Sequence, residues 1–91
     1  MNEYPDEIEI EVTQKDIDKG GRCAATRCPI TLAAKRLFGD KCITTCKEEI
    51  HIFAYEILKY SMTKESSQFV ESFDRGHKVI PFKFKSYRIK S

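Results

Sequence analysis

The residues of this 91-residue chain best equipped for chemistry are four cysteines, at positions 23, 28, 42 and 46. Their spacing is C-x4-C-x13-C-x3-C. Structural zinc favours two tight C-x2-C-type hooks, and both hooks here are wide. Cys42 and Cys46 also fall in a β-branched stretch that reads as a strand. Four strand residues separate Cα atoms by ~13 Å, whereas a tetrahedral site with Zn–S bonds of ~2.3 Å needs its sulfurs within about 4 Å. The expectation is no metal and no cofactor, with free thiols that pack as small apolar groups. Cys28 stands apart because it precedes a helix-starting proline, where the helix dipole can lower a thiol's pKa. A nucleophile also needs a base. The two histidines, His51 and His77, are not placed near it by sequence, so a packed, capping cysteine is the preferred reading.

Two further constellations could bind rather than react. Arg22, Arg27 and the helix start after Pro29 would suit a small anion, through guanidinium forks and free backbone N–H groups; the alternative is a solvated loop. His51, Phe53 and Tyr55 fall on one face of a strand and resemble the aromatic platform on which RNA-recognition sheets stack bases. No RNP1 pattern accompanies them, so packing or a protein interface is the other reading.

Those residues need elements to hold them. Glu7 to Val12 alternates strictly, with Ile8, Ile10 and Val12 on one side and three glutamates on the other, which predicts a strand with one buried face. Thr13 with Asp16 makes a capping-box pattern for a short helical turn ended by Gly20 and Gly21. Pro29 opens a helix whose Ile30, Ala33, Ala34 and Leu37 form one stripe, stopped by Gly39. Lys41 to Cys46 and Glu49 to Tyr55 read as paired strands, and Glu56 to Met62 as strand continuation or loop. Thr63 caps a helix through Phe73, with Phe69, Val70 and Phe73 facing inward. Val79 to Ile89 is the last strand, with Pro81 suited to a sheet edge.

The order β-α-β-β-α-β predicts a single α+β domain over residues 1–91, a ferredoxin-like antiparallel sheet of order 4-1-3-2 with two helices on one face. First and last strands would then be neighbours, burying Ile8, Ile10, Phe82 and Phe84. The chain's charge asymmetry fits that pairing. Residues 1–19 hold seven acids and residues 75–91 hold six bases. Glu7, Glu9 and Glu11 would lie beside Lys83 and Lys85, each opposite pair contributing roughly 0.2–1 kcal/mol. The same pairing would neutralise the basic segment and leave nucleic-acid binding weak and salt-sensitive.

Composition is that of an ordinary globular protein, 41% hydrophobic and 33% charged. No apolar run approaches the ~20 residues of a membrane span, and the acidic start lacks a signal-peptide layout. The expected location is a cytoplasm.

The segments Val12 to Gly20, Cys28 to Ala33, and Phe69 to Gly76 with Pro81 to Phe84 resemble a family of short uncharacterised proteins from bacteriophages and bacterial genomes. This chain has Thr31 where alanine is usual, and four residues between Cys23 and Cys28 where some members have two. The resemblance implies a phage origin and a host-cell cytoplasm, and it brings no catalytic residues to transfer. It implies a non-enzymatic binding protein acting in counter-defence, blocking a host protein or sequestering a small anionic nucleotide signal. A nucleic-acid-binding accessory protein and a small zinc or thiol module are the alternatives. An enzyme is not expected, because no base, nucleophile and orienting group assemble from the motifs.

Overall fold

A computed structural model describes residues 4–39, 41–54 and 56–89. The described residues form an α+β domain of five strands and three helices. The elements are β1 (Glu7–Val12), α1 (Gln14–Lys19), α2 (Pro29–Phe38), β2 (Cys42–Thr45), β3 (Glu49–Phe53), β4 (Ile57–Ser61), α3 (Lys64–Asp74) and β5 (Phe82–Ile89).

The strand order is β1-β5-β4-β3-β2, and every neighbouring pair is antiparallel. This corrects the ferredoxin-like order. The cause is the stretch left open between strand and loop. Leu58 and Tyr60 alternate inward from Ile57 and Lys59, and Ala54 N–H bonds Glu56 O at 3.1 Å across the preceding turn. The chain therefore doubles back into a separate strand. That strand occupies the place beside β3 that the first strand would have taken, and β1 moves to the sheet edge. First and last strands remain antiparallel neighbours, with Ile10 opposite Phe84, Glu9 opposite Lys85 and Glu11 opposite Lys83. The last strand is interior, and Pro81 lies just outside it, since β5 begins at Phe82.

The sheet is two ladders joined along β5. Among the described residues six pairs tie β1 to β5 and two, Lys59–Ile89 and Tyr60–Arg88, tie β4 to β5. Two serines reinforce the join: Ser86 Oγ donates to Ser61 O at 2.6 Å, and Ser61 Oγ accepts from Tyr87 N–H at 3.0 Å.

All three helices lie on one face. Period-two alternation sends Ile8, Ile10, Val12, Ile43, Ile50, Ile52, Leu58, Tyr60 and Phe84 to that side, where Ile30, Ala33, Ala34, Phe69, Val70 and Phe73 meet them. Rings close the core at two places. Phe38 lies between Tyr4 and Tyr60, with centroids at 5.6 and 5.7 Å. Phe82 packs on Phe69 at 4.8 Å and on Phe84 at 5.5 Å. Phe82 is only half-buried because it starts its strand. Leu37, expected in the core, is 50% exposed. Leu37 lies at the β1 edge beside Glu9, Glu11 and Arg36, and Phe38 turns inward instead.

The starts of α1 and α3 are capping boxes. Thr13 and Asp16 bond reciprocally, as do Thr63 and Ser66. The buried Asp16 also pairs with Arg36, whose Nη2 donates to Glu11 O at 2.7 Å. Arg36 thereby covers part of the β1 edge. At the opposite edge, Thr45 N–H donates to Ala25 O at 3.1 Å, so the loop before α2 covers part of β2. Blocked edges protect a sheet from adventitious strand addition.

Candidate functional site

The loop from Gly20 to Arg27 is built by contacts that the sequence only outlines. A Cβ on Gly20 would lie 2.7 Å from the Pro29 ring, so only glycine allows the loop to turn this close to α2. Thr31 Oγ1 lies 2.6 Å from Ala25 O and 2.7 Å from Thr45 Oγ1. With a single proton, it donates to the carbonyl and accepts from Thr45, pinning loop, helix and β2 together. Cys23 takes a left-handed φ of 53°, and its N–H donates to Asp74 Oδ1 at 2.8 Å.

This loop closes the α2 start rather than opening it. Cys28, Pro29, Ile30 and Thr31 are all buried. Burial pushes the Cys28 thiol up, and the backbone amides of Ile30 and Thr31, which pull the other way, do not overcome it. Cys28 is packed, as preferred, though its side chain makes no cap hydrogen bond, and the lowering that a helix end can cause is outweighed by desolvation of the thiolate. An anion has no access to these amides, so Arg22 and Arg27 do not share a site with them. Arg27 is exposed and packs beside Gly21, with its backbone N–H on Ala24 O at 3.0 Å.

Three of the four cysteines, Cys23, Cys28 and Cys46, line one cavity of ≈ 280 Å³ together with Thr45 and Asp74. Among the described residues no three His, Cys, Asp or Glu side chains gather closely enough to hold a metal ion. Cys42 lies on the other side of the sheet, opposite Phe53.

His51 and Phe53 occupy the helix-free face, ring centroids 6.4 Å apart and edge to face; Tyr55 falls outside the described residues. His51 Nε2 lies 2.8 Å from Glu49 Oε1. That hydrogen bond, with Lys59 nearby, holds the Glu49 carboxyl below its usual range. His51 and Cys28 are on opposite sides of the sheet, so they form no nucleophile–base pair.

Register extends this face beyond the sequence-derived residues. Phe53 faces Ile57 across β3–β4, His51 faces Lys59, Lys59 faces Ile89, and Ser61 is bonded to Tyr87. Phe53, Ile57, Tyr87 and Ile89 are 41%, 57%, 50% and 40% exposed, so four large apolar side chains stand on one uncovered surface. The parity of Ile57, Lys59 and Ser61 was the available signal; without the β4 assignment it pointed nowhere.

A second cavity, ≈ 370 Å³, lies between α1 and the segment after α3. It is lined by Gln14, Ile17, Arg22, Phe73, Gly76, His77, Lys78, Val79 and Ile80.

No family model, no curated protein and no solved structure matches this chain. No helix among the described residues is long and apolar enough to cross a membrane.

Proposed function

We propose that this protein is a non-enzymatic binding module that docks a partner protein on its helix-free sheet face, in the manner of a phage protein that blocks a host factor. The observation that carries this reading is the exposed quartet Phe53, Ile57, Tyr87 and Ile89. Phe53, Ile57, Ile89 and Tyr87 run along two sides of Lys59, with His51, Glu49 and Glu7 beyond, so apolar and aromatic area is presented together with charge, the mixed composition of a non-obligate interface. Clustered exposed apolar side chains on a small domain mark interaction surfaces, whereas single ones need no explanation. A nucleic acid fits less well. Glu7, Glu9 and Glu11 line the same face, and Lys85 Nζ lies 3.6 Å from Glu7 Oε2, which offsets its attraction for phosphate.

The test compares affinity capture from host-cell extract by the wild type, by Ile57→Asp and by Leu37→Asp. A specific protein partner should be retained by Leu37→Asp, whose side chain is exposed on another surface, and lost with Ile57→Asp. Equal capture by both variants, or recovery of nucleic acid that resists salt, would remove the proposal.

A further inference from the structure

We infer that the cavity beside Gly76 is a binding site for a small phosphorylated ligand. The argument starts from the end of α3. Gly76 N–H donates to Phe73 O at 3.0 Å and His77 N–H to Ser72 O at 2.9 Å, with Gly76 at φ 81°. This is the Schellman closure, and it requires a residue tolerant of left-handed φ. It turns the chain sharply, so that His77 and Lys78 follow α3 directly into the wall of the cavity.

Arg22 comes to the same place from the opposite side. A Cβ at Gly76 would lie 3.1 Å from Arg22 Cζ, 3.1 Å from Nη1 and 3.3 Å from Nη2. These near-equal distances put the glycine against a flat face of the guanidinium, not against its edge. The N–H groups of a guanidinium radiate in its plane, so they remain directed away from the glycine. Among the described residues the Arg22 side chain makes no hydrogen bond or ion pair, and neither do His77 and Lys78. No carboxylate lines the cavity. Two acids close by in sequence are engaged elsewhere: Asp18 accepts from Gln14 Nε2 at 2.9 Å, and Asp74 accepts from Cys23 N–H.

Two cationic side chains, Arg22 and Lys78, with the His77 ring beside them and no partners for any of the three among the described residues, match an anion of more than one charge around one concavity. Arg supplies planar, multidentate donors and Lys a point charge, the pair commonly used for phosphoryl oxygens. Apart from Gln14, the remaining wall is apolar, from Ile17, Phe73, Val79 and Ile80, and Ile80 is 70% exposed. The volume of ≈ 370 Å³ falls at the lower end of the ~300–1,000 Å³ of small-molecule sites. The ligand class is therefore a compact phosphate ester with an apolar or planar body, a mononucleotide in size. This site is separate from the sheet face of the proposed partner, and neither depends on the other.

The test is amide-resolved NMR titration of the full chain with inorganic phosphate, pyrophosphate and adenosine monophosphate. Pyrophosphate should produce saturable shifts confined to Arg22, Gly76, His77 and Lys78. Arg22→Ala and Lys78→Ala should each weaken binding about tenfold, whereas Lys83→Ala, on β5 outside the cavity, should leave it unchanged. Preserved amide dispersion in the variants separates loss of the site from loss of the fold. Adenosine monophosphate should bind severalfold more tightly than inorganic phosphate if the apolar wall contributes; equal affinities would remove that half of the assignment. Shifts that fail to saturate, that spread equally to Lys83 and Lys85, or that persist in Arg22→Ala would overturn the site.

Discussion

The two halves of the helix-free sheet face are made of the same antiparallel ladder but carry opposite chemistry. On β1 and β5 the outward positions hold Glu9 and Glu11 opposite Lys85 and Lys83. On β3, β4 and the end of β5 they hold Phe53, Ile57, Tyr87 and Ile89 around Lys59, with His51, Glu49 and Ser61 beside it. Exposed opposite charges contribute little to stability and keep their hydration, so the first half, whose ion pair is Lys85–Glu7, has little to gain from being covered. The second half exposes apolar area whose burial is favourable at roughly 25 cal/mol per Å². A partner that covers the face should therefore engage one half and tolerate the other. The inner faces of the two halves differ less, since both send alternate residues into one core.

The largest expected effects probe that shared core. Phe84→Ala should cost about 3–5 kcal/mol and Ile52→Ala about 2–5 kcal/mol, the usual range for emptying buried sites of these sizes. Phe82→Ala should cost less, because Phe82 is only half-buried. Chemical denaturation of the three variants measures this. A mild Phe84→Ala beside a severe Ile52→Ala would mean that the β1–β5 ladder, joined to β4 by two residue pairs, is the looser half.

Gly20→Ala comes next, at about 1–3 kcal/mol for forcing a methyl against the Pro29 ring. A loss below half a kcal/mol on the same denaturation assay (~0.5, the scatter of ordinary surface changes) would show that the loop yields without disturbing α2.

A third comparison uses pH. Burial raises the Cys28 thiol above its ordinary 9.0 and the Tyr60 hydroxyl above its ordinary 10.0. Both groups are neutral when protonated, so the folded chain holds these protons more tightly than the unfolded one. Their contribution is full below the ordinary values and is lost as pH rises through the raised folded values. The thermal midpoint should fall at alkaline pH, and less steeply in Cys28→Ala. Parallel curves for the two proteins would show that the thiol ionises freely in the folded state.

The smallest effects belong to the outer face. Lys85→Ala should change stability by well under ~1 kcal/mol. Phe53→Asp should leave stability within about half a kcal/mol (~0.5) while abolishing capture of the partner. If Lys85→Ala abolishes capture and Phe53→Asp does not, the charged half is the interface and the comparison is reversed.

Much of the inner architecture was legible. Strict alternation placed β1 from Glu7 to Val12, and any one-residue slip would have buried glutamate. Thr13 and Thr63 announced their helices through capping geometry, and the acid–base split correctly paired the first strand with the last. The candidate site was read less well. His51 and Phe53 were placed on the open face, but Ile57, Tyr87 and Ile89 were not joined to them. Arg22 was grouped with Arg27 and a helix start, whereas it lies against Gly76 with His77 and Lys78.

The sequence by itself determined the inward-facing stripe of most strand and helix residues, Leu37 and Phe82 apart, where the helices start and stop, and that one domain with a single core results, because periodicity and capping act over a few neighbouring residues. Only the tertiary structure decided the strand order, the closure of the α2 N-terminus and the gathering of Arg22 with the segment after α3. Each depends on residues far apart in the chain. The turn at Ala54–Glu56 and the two residue pairs joining β4 to β5 place a strand where local pattern left a choice, and burial of Cys28 follows from packing that no spacing encodes.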